Sequence, residues 1–195
     1  MTLKYLKTTM STNRIAILTN LGNLASNKWI TTNDELCIVL KKCCYCSRIT
    51  DKGKNIVSYE ELDTIKINKL KKCCIVINTT KTDTNDKIGH WITLYYNCGQ
   101  ALVYDPLNTL HKSHPLVCSK IKSYCNKNNI KLKYLSIQTQ ALSSLACGFH
   151  NIWFIHNSHK TNTKGVIKLE KMLTNFSIKN REKFIISDVL KSFRL

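Results

Sequence analysis

Acidic residues are scarce in this chain: 12 Asp and Glu face 30 Lys and Arg, leaving a formal charge of +18 across 195 residues. A surplus of that size repels itself unless a polyanion is close, and nucleic acid is the polyanion that fits best. The bland alternative is a lysine-rich solvated surface, since no arginine-rich or aromatic-interleaved binding motif accompanies the charge. Proline and glycine are sparse too, at two and six. No stretch of Ser, Pro or Gly is long enough for a flexible linker and no internal repeat is visible, so one domain over 1–195 is expected. Apolar runs such as 73–77 and 152–155 fall far short of the roughly 20 residues a bilayer crossing needs, which predicts no membrane association. The first ten residues carry Lys4 and Lys7 without the apolar core of a secretory signal, so folding inside a cell is expected. Cysteine, by contrast, is abundant at ten. In a reducing compartment most of these are expected to be buried free thiols rather than disulfides.

Periodicity divides the chain unevenly. Ile15, Leu18, Leu21 and Leu24 recur every third residue behind Asn13, which predicts a short helix over 13–24. Residues 30–70 carry no clear pattern. The run 73–78 reads as a buried strand, 79–88 as a polar loop and 90–96 as an aromatic and β-branched strand. Asn97-Cys98-Gly99-Gln100 reads as a turn into an antiparallel strand over 101–104, giving a meander that Pro106 ends. Ser113 and Pro115 mark a helix start, with Val117, Ile121 and Tyr124 at helical spacing. Residues 131–138 predict another strand. From Ala146 to Ile155 the chain is too apolar all round for a surface helix, which predicts a central buried one. Two amphipathic patterns, 166–176 and 181–193, predict covering helices. The fold class expected is therefore α+β, a central mixed or antiparallel β-sheet packed against a buried helix that carries Cys147 at its N-terminus.

That placement has a chemical consequence. The thiolate, not the thiol, is the nucleophile, and unpaired N–H groups and the macrodipole favour it at a helix N-terminus. Ala146 and Gly148 flank Cys147 with little bulk, so a substrate can approach and the Cys147 N–H can donate to an oxyanion. Gln140, seven residues earlier, brings a side-chain amide to the same place. Gln138 rivals it from the same loop. A thiolate also needs a base fixed by a third group. His90 begins one predicted strand and Asp105 ends the next, so a hairpin of that length places carboxylate and imidazole side by side. Trp91 is read as core.

Gly89-His90-Trp91, Tyr104-Asp105-Pro106 and Gln140 with Ala146-Cys147-Gly148 together resemble the adenovirus protease (adenain) family of viral cysteine proteases. The order His, Asp, Gln, Cys is shared with the SUMO-specific proteases, but the Asp-Pro, the Ala before the cysteine and the seven-residue Gln-to-Cys interval are closer to adenain. The resemblance spans roughly 70–157. It implies His90 as general base, Asp105 as the acidic member, where adenain carries Glu, Cys147 as nucleophile and Gln140 in the oxyanion hole, with no metal. It further implies cleavage of virion precursor polypeptides beside small residues, particularly Gly, during particle maturation, in the virion and in the nucleus of the infected host cell. A monomer is expected, with viral DNA and a viral peptide as activators. In adenain the peptide is tethered through a cysteine at a position that falls here near Asn129; the nearest cysteines are Cys125 and Cys118.

Other readings compete. A deubiquitinase or SUMO-type isopeptidase would use the same triad, and a basic DNA-binding virion protein with a decayed site would use none of it. Cys43 and Cys46 have the interval of a zinc knuckle, with Cys73 and Cys74 as distant candidates. Cys147, His150, His156 and His159 form another set, but on one helix they would extend about 18 Å at 1.5 Å per residue, too far for one ion.

Overall fold

A computed structural model describes residue 36 and residues 56–67, 72–80, 89–161 and 163–193. The expected helix over 13–24 and the Cys43–Cys46 pair lie outside these residues. Five strands form one mixed sheet in sequence order, β1 (Ile56–Ser58), β2 (Cys73–Asn78), β3 (Trp91–Asn97), β4 (Gln100–Tyr104) and β5 (Lys131–Tyr134). The expected meander is β2–β3–β4, all antiparallel. Its two outer neighbours, β1 on β2 and β5 on β4, are parallel, which makes the sheet mixed.

The β3–β4 hairpin closes through Cys98 and Gly99 at φ 47° and 78°. Positive φ at both central positions is the two-residue turn whose twist matches the flanking strands, and Gly99 takes it without strain.

Alternate strand residues enter two separate cores. Cys74, Val76, Tyr95, Leu102 and Tyr104 pack with Phe149, Ile152, Trp153 and Ile155, whereas Cys73, Ile75, Ile77, Leu94, Tyr96 and Val103 pack with Val117, Ile121 and Tyr124. Burial on both faces explains why these strands read as nearly continuous apolar runs. The first face carries α3 (Cys147–Lys160), which lies between β3 and α5 (Ile178–Phe193), with α4 (Thr163–Thr174) beside it. The second carries α2 (Pro115–Lys127) and a 3-10 turn (Glu60–Thr64). Buried between sheet and helix, α3 must be apolar all round.

Two local expectations are corrected. Ser113 does not cap the helix at Pro115; it ends a separate single turn, α1 (Leu110–Ser113), and His114 is the cap. The Asp105 carboxylate holds that turn in place by accepting the Thr109 and Leu110 N–H groups at 2.7 and 2.8 Å. The strand expected over 131–138 stops at Tyr134, because β4 itself ends at Tyr104 and only Leu135 N–H to Val103 C=O, at 2.9 Å, continues the ladder. Residues 135–146 are instead an irregular loop that leads into α3. Among the described residues no helix is long and apolar enough to cross a membrane.

Candidate active site

The β3–β4 register sets the first contact. Thr93 lies opposite Tyr104, so Asp105 falls opposite Ile92 and stands diagonally across from His90, within reach of a long side chain. His90 Nε2 meets Asp105 Oδ1 at 2.6 Å. The His90 backbone is clamped on its other side, its N–H donating to Thr79 Oγ1 at 3.1 Å and its C=O accepting from Thr79 N–H at 3.0 Å. Gly89 before it leaves no room for a side chain, since a Cβ there would sit 1.8 Å from Asn78 Oδ1.

Asp105 is buried, which disfavours its charge, but His90 and the Leu110 and Leu107 N–H groups hold its carboxyl below the usual range. An ionised carboxylate that accepts several donors is stabilised against protonation. Burial likewise disfavours the charged form of His90. The hydrogen bond to Asp105, the influence of the Cys147 sulfur and the charges on both outweigh it, and the imidazole pKa is pushed up to about 9.

Cys147 reaches that imidazole because α3 is bolted to β3. Asn151, one turn into the helix, donates to Trp91 C=O and to Cys147 C=O, both at 2.7 Å, and accepts from Thr93 Oγ1 at 2.6 Å. Trp91 adjoins His90 in the chain, so this buried amide sets the sulfur beside the ring. Cys147 is the first residue of α3, a position whose N–H has no partner within the helix. Its relative exposure is 9%, so sulfur and ring sit in a sheltered, low-dielectric place. With Nε2 on Asp105, Nδ1 is the ring nitrogen left for the sulfur.

The structure also brings in Gln140. Pro106 C=O, next to Asp105, accepts both Thr139 N–H and Gln140 N–H at 2.8 and 3.0 Å, and the Gln140 side chain is 1% exposed. One amide hydrogen is committed to Ser144 C=O, with Nε2 at 2.6 Å from it; the second is the one left to act as a donor. Gln138 is half-buried and spends its amide on Gln140 C=O at 2.9 Å, so of the two glutamines Gln140 is the buried one beside the helix start.

Asn151 was not singled out from the sequence. Its signal was an amide on a helix otherwise apolar enough to be buried, where a polar side chain must find partners. His114 was missed too. Its ring stacks on His90 with centroids 6.4 Å apart, and burial together with the His90 charge lowers its pKa. Nothing in the spacing of the two histidines announces that contact.

The other cysteines behave differently. Burial pushes the thiol of Cys73 up to about 12 and that of Cys125 to about 11, which keeps them protonated and inert. Cys73 and Cys74 point to opposite cores. Among the described residues no group of three or more His, Cys, Asp or Glu is placed to hold a metal ion.

A cysteine at a helix start, an imidazole beside it, a carboxylate behind the imidazole and nearby N–H donors are the kinds of group that acyl-transfer chemistry requires. No protein-family model matches the chain, and no curated protein matches it either.

Proposed function

We propose that the chain is a cysteine endopeptidase with an adenain-like fold, cleaving virion precursor polypeptides during particle maturation. The observation that carries this reading is the shared imidazole: His90 is gripped at Nε2 by an ionised, buried Asp105 and influenced by Cys147 from the helix start.

In the reaction the Cys147 sulfur attacks the scissile carbonyl carbon and the carbonyl oxygen becomes an oxyanion. The Cys147 N–H and the remaining amide hydrogen of Gln140 stabilise that charge. His90 gives its proton to the leaving amine as the C–N bond breaks, leaving a thioester. Water then gives a proton to His90 and attacks the thioester carbon, and the C–S bond breaks, which frees the acid and returns the thiolate beside the protonated ring. Asp105 keeps the ring in the correct tautomer and direction throughout. The +18 charge supports viral DNA as an activating partner inside the particle.

The test is to incubate the purified protein, with and without duplex DNA, with candidate virion precursor polypeptides, and to map new termini by mass spectrometry. Cleavage that vanishes in Cys147→Ala is the expected result; cleavage that persists in it removes the nucleophile. Hydrolysis of a ubiquitin-like C-terminal fluorogenic substrate in place of the precursors would make the protein an isopeptidase. Salt-sensitive DNA binding with neither activity would make it a DNA-binding protein.

A further inference from the structure

Five residues of the loop between Gln138 and Ser144 are tied down, and two successive residues of the C-terminal helix do much of the tying. Arg181 Nη1 donates to Gln138 C=O at 2.7 Å, while its Nε and Nη2 hold Leu173 C=O and Thr174 C=O at 2.7 and 3.2 Å. The guanidinium therefore fastens the start of the loop to the end of α4. Glu182, next on α5, faces His150, which in turn bonds the loop at Thr139. Despite burial, its carboxyl is held below the usual range, chiefly by His150.

A buried chain of polar groups makes that link. Tyr104 and Thr139 hydroxyls meet at 2.6 Å, Thr139 Oγ1 meets His150 Nδ1 at 3.0 Å, and His150 Nε2 lies 3.6 Å from Glu182 Oε1. His150 is completely buried, and desolvation lowers its pKa, so the ring is neutral. One assignment fits the two hydrogen bonds: Tyr104 O–H donates to Thr139 and Thr139 O–H donates to Nδ1, which leaves Nε2–H facing the carboxylate at 3.6 Å without a hydrogen bond. Nothing in the reaction requires any of these side chains to touch substrate. What they enclose is Gln140, whose amide nitrogen braces Ser144 C=O at 2.6 Å.

We infer that Arg181 and Glu182 of α5 are positioning residues for the oxyanion-stabilising loop, holding Gln140 and the Cys147 N–H aimed at one point. This rests on the proposed acyl-transfer chemistry. Oxyanion stabilisation works only when donors are fixed beforehand, so loosening the loop slows acyl transfer without touching a reaction that builds no oxyanion.

Two small probes separate the cases. p-Nitrophenyl acetate acylates Cys147 through a tetrahedral oxyanion: a C–S bond forms and p-nitrophenolate leaves with its electron pair. Iodoacetamide alkylates the same sulfur by displacing iodide, with no oxyanion. Glu182→Ala is expected to slow acylation roughly 10- to 100-fold, short of the 10²–10³ that deleting a donor costs, while alkylation of Cys147 stays within about twofold of the wild type. Glu182→Gln keeps an oxygen facing His150 Nε2 and restores most of the acylation rate. Arg181→Lys, which cannot make three bonds at once, shows the same selective loss and serves if Glu182→Ala does not fold. Acylation unchanged in Arg181→Lys and in Glu182→Ala overturns the inference, and so does an equal fall in both reactions, which would locate the effect in the thiol or the fold. If wild-type Cys147 is neither acylated nor selectively alkylated, the protease reading itself fails and the inference goes with it.

Discussion

Asp105→Asn changes one oxygen for one amide and should move the His90 titration more than any other single substitution. The rise from 6.5 to about 9 corresponds to roughly 3 kcal/mol of preference for the imidazolium. Because the folded value is raised, this stabilisation is complete below pH 6.5 and is lost as pH climbs through about 9. Asp105 itself has a lowered value, so its share is present above the ordinary 3.8 and disappears as pH falls through the folded value. Asparagine removes both contributions and turns an NH2 group toward N–H donors that the carboxylate now accepts. One Asp105 oxygen takes Thr109 and Leu110, and the other takes Leu107 and His90. A stranded donor costs about 1–3 kcal/mol, so the variant should also lose stability. The assay is an NMR titration of the His90 ring carbon in labelled protein. Wild type should titrate near pH 9, and the variant at least about 1 pH unit lower, the size of shift an adjacent opposite charge produces. An unchanged midpoint would refute the assignment of Asp105 as the group that holds the ring.

Other consequences can be checked alongside. Gly89→Ala drives a Cβ into Asn78 Oδ1, 1.8 Å away; overpacking of this kind should cost about 1–3 kcal/mol in urea unfolding and displace the neighbouring His90. A variant as stable as wild type would show that this approach is not required. Asn151→Ala removes the bonds to Trp91 C=O, Cys147 C=O and Thr93 Oγ1, and should lower the unfolding free energy by at least about 2 kcal/mol. The same variant should reduce Cys147 alkylation, because the helix start is no longer fixed to β3. His114→Ala removes the ring stacked on His90; because the lowered His114 pKa leaves that ring neutral where His90 titrates, the His90 midpoint in the same NMR titration should stay near 9, and a clear rise would show that His114 carries a charge there.

Much of the fold could be read from residue pattern where a single periodicity governs it. The hairpin over 91–104 is marked by aromatic and β-branched runs around Cys98-Gly99, and α3 by its apolar run Ile152–Ile155. β1 could not be read, and β5 could be read as a strand but not as a parallel one, because their partners are remote in sequence and nothing local in Ile56–Ser58 or Lys131–Tyr134 encodes direction. The single turn α1 escaped for a related reason: it forms because Asp105 accepts its N–H groups, a tertiary bond rather than a propensity. At the site, His90, Asp105 and Cys147 were legible because each stands at the end of an element with a strong pattern of its own. Asn151 and the Arg181–Glu182 clamp were not, since a buried polar side chain acquires meaning only once its partners are known.

The central claim is that Cys147 is an activated nucleophile, and competitive labelling tests it most directly. Cys98 is exposed at the hairpin tip whereas Cys147 is 9% exposed, so accessibility alone predicts that Cys98 reacts first. At pH 6 an ordinary thiol is about 0.3% thiolate. Brief treatment of the native protein with limiting iodoacetamide at that pH, followed by peptide mass spectrometry, should show Cys147 modified ahead of Cys98. Label on Cys98 with Cys147 untouched would contradict the account.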